Sequence, residues 1–166
     1  MENFGLDFLS ELTMKLESTS FIQDDFIFME KDKADCMYFI ITGKVAMIHK
    51  QSSTFISDLG NGEYFGEYGL LKEENRCLSA KCRDFTEAYV ITKKDFEDVS
   101  ENCIEAIKSI RQIKDGLDKD DLKHLKVKCY ICGKNDHLAL RCNQFPKWRG
   151  NLMRMLMQQN KEKEEM

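Results

Sequence analysis

Tyr64-Phe65-Gly66-Glu67-Tyr68-Gly69-Leu70-Leu71, followed by Arg76-Cys77-Leu78-Ser79, is the stretch on which the reading of this chain turns. It reads as a glycine-flanked turn into a short helix that carries a carboxylate, with an arginine nine residues after that carboxylate. Glycine lets backbone N–H groups come close to a ligand, and free N–H groups at a helix start attract anions. A nearby arginine supplies countercharge and can donate two parallel hydrogen bonds to a phosphate. A glutamate beside a phosphate is repelled unless it accepts from a hydroxyl further along the ligand, and a ribose is the obvious source. The combination points to a nucleotide with one phosphate and a nearby sugar hydroxyl.

The flanking sequence predicts the scaffold. Leu6, Leu9, Leu12 and Leu16 recur at helical spacing, so a short amphipathic helix opens the chain. Phe26-Ile27-Phe28, Met37 to Ile41, Val45 to Ile48, Phe55 to Leu59 and Ala88 to Ile91 are short runs rich in β-branched and aromatic residues. Turns such as Thr42-Gly43-Lys44 separate them, a spacing that predicts a β-sandwich or barrel. Helical period returns with Phe96, Val99, Cys103, Ile107 and Ile110. Asp95 or a neighbour is expected to cap that helix and Gly116 to stop it.

Phe65-Gly66-Glu67, Leu70-Leu71 and Arg76 resemble the phosphate-binding cassette of cyclic-nucleotide-binding domains, including the spacing from glutamate to arginine. Asp35 to Ile40 followed by Gly43-Lys44-Val45 is similar to the family's third and fourth strands and their turn. Asp95-Phe96 resembles the start of the helix after the barrel. Among such domains, the wording is most similar to the cytoplasmic tails of voltage- and nucleotide-gated cation channels. The resemblance implies an eight-stranded jelly-roll β-barrel with flanking α-helices. It implies that Glu67 accepts from the ribose 2′-hydroxyl and that Arg76 pairs with the cyclic phosphate. Backbone amides around Gly66, Gly69 and Cys77 would complete the cradle. The last helix, with Ile107, Ile110 and Ile113 on one face, would be a lid on the purine.

Some positions depart from the family pattern. Asp24 and Lys31 stand where early turns usually have glycine, and Leu78 stands where a small residue is usual and would crowd the pocket. Cys77 replaces serine, threonine or alanine. A thiol is a weak donor, so the contact associated with guanine is weakened and cAMP is slightly favoured over cGMP. A second reading stays open, in which Glu67 and Arg76 pair with each other in an empty architectural barrel. The lid isoleucines can equally be ordinary core.

Further along, Cys129-x2-Cys132-x4-His137-x4-Cys142 has metal-ligand spacing. Zinc takes four such ligands in a tetrahedron, and Gly133 permits the tight turn after the second. Residues 129–142 resemble a retroviral-type CCHC zinc knuckle along their whole length, except that Asp136 stands before the histidine where glycine is usual. So short a segment has no core of its own, so the metal would supply its folding energy. That family often binds single-stranded nucleic acid. Tyr130 would stack a base, while Lys134, Arg141, Lys147, Trp148 and Arg149 would contribute further contacts. Leu138 and Leu140 serve equally well for docking a protein, and the knuckle can also be a clip that holds the tail to the barrel.

Composition sets the outer limits. The 166 residues are 42% hydrophobic and 33% charged, enough for one core and incompatible with global disorder. The longest apolar stretch, Cys36 to Ile41, is far below the roughly 20 residues that cross a bilayer. The N-terminus does not read as a secretory signal, and seven cysteines fit a disulfide framework poorly. An intracellular, cytoplasmic, reducing location is therefore expected. Cys36, Cys77, Cys82 and Cys103 are read as small buried hydrophobes. The net charge of -4 divides into -9 over residues 1–103 and +5 over 104–166, as for two modules with different partners.

The expected organisation is a cyclic-nucleotide-binding-like domain at 4–113, a linker or helix at 114–127, a CCHC zinc knuckle at 128–146 and a basic, methionine-rich tail at 147–166. The tail's 151–158 stretch is helical by pattern, and the charged end from Lys161 is expected to be disordered. His49 and His124 have no convergent partners in sequence. No segment resembles a catalytic constellation, so a non-enzymatic regulatory module is expected, with Zn2+ and a cyclic nucleotide (cAMP or cGMP) as its ligands. The C-terminal module would dock onto a larger protein assembly. Nucleic acid is the less favoured partner, and an interaction subunit with a degenerate pocket is the competing class.

Overall fold

The computed structural model describes residues 6–72, 74–119, 128–152 and 154. Most of the linker, His124 and the tail beyond Arg154 lie outside the described residues.

Eight strands form two antiparallel four-stranded sheets. β1 (Glu17–Phe21), β8 (Thr86–Thr92), β3 (Cys36–Thr42) and β6 (Tyr64–Phe65) pair in that order in one sheet. β2 (Phe26–Phe28), β7 (Ser79–Cys82), β4 (Val45–His49) and β5 (Thr54–Leu59) form the other. Consecutive strands therefore mostly lie in different sheets, and the chain's two ends of the β-region, β1 and β8, run side by side with Glu17 opposite Val90.

The central strand β3 explains why its sequence is apolar without alternation. Side chains alternate faces along a strand. Tyr38 and Ile40 point into the inter-sheet core with Val45, Met47, Ile56, Phe65 and Ala88, while Met37 and Phe39 pack on the helical layer. Both faces are covered, so both must be apolar.

That helical layer is α1 (Leu6–Met14), α3 (Lys93–Glu101) and α4 (Ile104–Asp118), clustered around Phe8, Leu12, Leu70, Ile91, Val99 and Ala106. α1 buries Phe8 and Leu12 rather than the whole leucine series, and Leu6 is exposed. The helical period after β8 is interrupted: Cys103, at φ −125 and ψ 109, separates α3 from α4. Both helices bury residues in the same cluster, so the apolar spacing runs through the break without registering it. Thr92 caps α3, its Oγ1 accepting from the Asp95 N–H at 3.1 Å. α4 continues through Gly116 to Asp118, past the expected stop.

Three strands lack a β-rich pattern of their own. β1 is the mostly polar Glu-Ser-Thr-Ser-Phe at a sheet edge, and β6 has two residues. β7 lies inside its sheet, yet is built of Ser79, Ala80, Lys81 and Cys82, of which all but Lys81 are buried. Of the scattered cysteines only Cys82 is buried; Cys36 and Cys103 are half-buried and Cys77 is exposed.

Candidate functional site

β6 delivers the chain to Gly66, and α2 (Glu67–Leu71) starts there. Gly66 has φ 90, and a Cβ on it would stand 2.8 Å from Arg76 Nη1 and 3.1 Å from the Cys36 carbonyl oxygen. Only glycine fits such a left-handed, close-packed corner. Gly69 is required for a different reason: a Cβ there would meet the Ala34 Cβ at 2.2 Å. Its N–H already donates to the Gly66 carbonyl at 3.2 Å, so it packs α2 against Ala34 and is not a free donor for a phosphate.

Arg76 is buried, 6% exposed. Its Nη1 donates to the Gly66 carbonyl at 3.2 Å and its Nη2 donates to the Cys36 carbonyl. The guanidinium lies 4.2 Å from the centre of the Phe28 ring. Backbone bonds also anchor the residue, with Arg76 N–H to Asp32 O and Lys31 N–H to Arg76 O both at 2.8 Å. Lys31 has φ 78 and Asp24 φ 73, so both non-glycine residues adopt the left-handed turns in which the family has glycine.

Glu67 is the unusual group. Its Oε2 is buried without a hydrogen-bond partner, as is Arg76 Nε. Burial raises the Glu67 carboxyl to about 7, although its own backbone amide and Arg76 pull it down. Arg76 thus spends its two terminal nitrogens on backbone carbonyls, and the internal glutamate–arginine pair of the empty-barrel reading does not form. Glu67 and Arg76 line one cleft, open to solvent, with a cavity volume of about 70 Å3. Phe28, Met47 and Leu78 form its apolar wall, and Cys77 stands at its side. Leu78 narrows the cleft without filling it.

The opposite wall is Tyr130 and Leu138, from the C-terminal cysteine-rich segment. Burial raises the Tyr130 phenol well above its ordinary value, with the Glu67 carboxyl adding to the shift. α4 contributes nothing to the cleft among the described residues. Ile107 and Ile110 instead line a separate depression with Leu70, Leu71 and Phe96; Ile110 packs against the helical cluster, Ile107 is exposed, and Ile113 is half-buried outside the cleft.

Cys129, Cys132, His137 and Cys142 converge, their ligand atoms all within 4.8 Å of one another. A tetrahedral zinc with thiolates at about 2.3 Å needs sulfur–sulfur separations near 3.8 Å, so a small contraction closes the set. Cys132 Sγ is 3.2 Å from His137 Nε2, and His137 Nδ1 is 2.6 Å from Asp136 Oδ1. The acid that departs from the knuckle pattern therefore orients the imidazole with Nε2 toward the thiols, as outer-shell carboxylates do for ligating histidines. The turn is closed by Gly133 N–H to Cys129 O at 2.8 Å and Cys129 N–H to Lys134 O at 2.7 Å. A single zinc with a three-cysteine, one-histidine set fits this donor chemistry.

The segment does not hang free. Cys129, Ala139 and Cys142 are buried in the inter-sheet cluster with Phe65 and Leu78. Beyond it, the short α5 (Phe145–Trp148) places Phe145 edge-on to His49, ring centres 5.6 Å apart. Asn151 Oδ1 then accepts from the Phe55 N–H at 2.8 Å, and the Leu152 N–H donates to Ser53 O at 3.1 Å. His49 is an interface residue, and Gly150, Asn151 and Leu152 bond to residues 53–55 at the start of the outer strand β5.

Comparison with known proteins identifies the family of the barrel. The cyclic nucleotide-binding domain family matches residues 18–103, just over half of the chain, and the chain belongs to that family. It is 30% identical over 105 residues to a cGMP-dependent protein kinase of Drosophila melanogaster, covering 60% of this chain and 11% of the kinase. It is 31% identical over 126 residues to human cyclic nucleotide-gated channel alpha-3, covering 69% of this chain and 18% of the channel. The mouse channel alpha-4 is 25% identical over 104 residues, 59% of this chain and 18% of that protein. The chain thus spans less than a fifth of each of these relatives. No described helix is long and apolar enough to cross a membrane.

Proposed function

We propose that this chain is a non-enzymatic regulatory module that binds a cyclic nucleotide in the Glu67–Arg76 cleft. The carrying observation is the buried Arg76 guanidinium beside a buried Glu67 carboxyl oxygen that no protein group satisfies. Leaving such groups unpaired costs roughly 1–3 kcal/mol each, which a ligand with a phosphate and a ribose hydroxyl would recover. Arg76 would turn from the Gly66 and Cys36 carbonyls to the cyclic phosphate, and Glu67 would accept from the 2′-hydroxyl. The strand order, 1-8-3-6 facing 2-7-4-5, is read as a jelly roll. cAMP is slightly favoured, because Cys77 offers only a weak donor to a guanine.

Zinc is proposed for Cys129, Cys132, His137 and Cys142 as a closed structural site, with no position left open for catalysis. Nucleic-acid binding through the knuckle is disfavoured by Tyr130, the expected stacking residue, which lines the cleft instead. Docking of this module with a larger assembly, in a reducing cytoplasmic setting, completes the proposal.

Isothermal titration with cAMP and with cGMP tests it. Binding that is lost in Arg76→Ala supports the sensor; no heat and no thermal shift at millimolar ligand leaves the degenerate-pocket, interaction-subunit reading in its place.

A further inference from the structure

Two walls of the cleft belong to different parts of the chain. Gly66, Glu67 and Arg76 come from the barrel. Tyr130 lies between the ligand residues Cys129 and Cys132, and Leu138 follows the ligand residue His137. The tight turn closed by the Gly133 and Cys129 amides fixes the backbone on either side of Tyr130. Cys129 and Cys142 themselves are buried against the barrel core. The metal ligands, the cleft wall and the core are therefore one packed unit.

Resting on the cyclic-nucleotide reading above, we propose that the cysteine–histidine module is the lid of the cleft, with Tyr130 as the aromatic platform for the ligand's base and Leu138 as a second apolar contact. One observation favours a lid over a plug. A plug standing in for the nucleotide would offer polar partners to the cassette, yet Glu67 Oε2 and Arg76 Nε have none. α4, the other candidate lid, packs elsewhere. The 14 residues from Cys129 to Cys142 have no core apart from the barrel, so a metal that orders them also orders the wall. Zinc and nucleotide then favour one another, and by linkage each raises the other's affinity by the same factor.

The test uses the full chain in four forms: zinc-loaded, chelator-stripped, Tyr130→Ala and Tyr130→Phe, each titrated with cAMP and cGMP. Chelation and Tyr130→Ala should each weaken affinity by roughly 5- to 100-fold, the range for one base–aromatic stack, while Tyr130→Phe keeps it. Saturating nucleotide should raise zinc affinity, measured by chelator competition, by the factor that zinc raises nucleotide affinity. Equal nucleotide affinities in all four forms overturn the lid and leave the sensor standing. Tighter binding after chelation, or in Tyr130→Ala, overturns it in favour of an obstructing module. If the zinc-loaded chain binds neither nucleotide, the sensor reading fails, and hydrogen exchange still decides the cover. Amides at 66–69 and 76–78 must exchange faster after chelation while those of β3 and β8 do not, and unchanged exchange overturns it.

Discussion

Glu67 concentrates the electrostatics of the site. Its carboxyl titrates at about 7 in the folded chain against an ordinary 4.5, because burial disfavours the charged form. Between those values the folded chain holds a proton that the unfolded chain has lost, so stability falls as pH rises through that window. The penalty is absent below 4.5 and complete above 7. Glu67→Gln should flatten that slope and stabilise the ligand-free protein at pH 8 by roughly 1–3 kcal/mol, measured by urea unfolding across pH. Lys31 carries a different cost. At φ 78 its Cβ crowds its own backbone, and Lys31→Gly should raise stability by about 1 kcal/mol. Gly69→Ala should lower it by roughly 1–3 kcal/mol, with Ala34→Gly restoring part of the loss, since the two Cβ atoms would meet at 2.2 Å.

Among the elements, those with a strong pattern were legible in the sequence and those shaped by their neighbours were not. Phe26–Phe28, Val45 to Ile48 and Ala88 to Ile91 fall within β2, β4 and β8, because β-branched and aromatic residues pack on pleated surfaces wherever the strand lies. β7 escaped pattern reading because Ser79, Ala80 and Cys82 are small, none of them β-branched or aromatic, and their spacing holds no strong alternation. The α3–α4 break at Cys103 was equally silent. Thr92 closes the first turn of α3 by side-chain capping, so Thr92→Ala should cost about 1 kcal/mol in thermal or chemical unfolding. Of the caps expected, Asp95 or a neighbour, Asp95 itself accepts from the Thr92 hydroxyl at 2.5 Å.

Across the whole molecule, the cysteine–histidine module and the barrel share a core. Cys129, Ala139 and Cys142 cluster with Phe65, Leu78 and Ala80, and Asn151 and Leu152 bond along β5. Removing the metal should therefore destabilise the barrel as well as the knuckle. Calorimetry should show one transition moving to lower temperature on chelation, whereas a separable knuckle would leave the barrel's transition where it was. The tail also covers an outer strand, whose exposed N–H groups invite edge-to-edge pairing. Asn151→Ala should weaken that cover, costing about 1 kcal/mol through the unsatisfied Phe55 N–H.

The glutamate–arginine spacing and the convergence of Cys129, Cys132, His137 and Cys142 could be read from the linear chain, because each is local: a short loop with few conformations brings closely spaced residues together. The placement of the second module could not. Tyr130 lies 54 positions after Arg76, and its arrival in the same cleft depends on packing between surfaces that carry no shared period. Likewise the α4 isoleucines show the same spacing whether they face a ligand or other helices, and only the tertiary structure sets Ile107 and Ile110 apart from the cleft, because helical period fixes a face and not its neighbour.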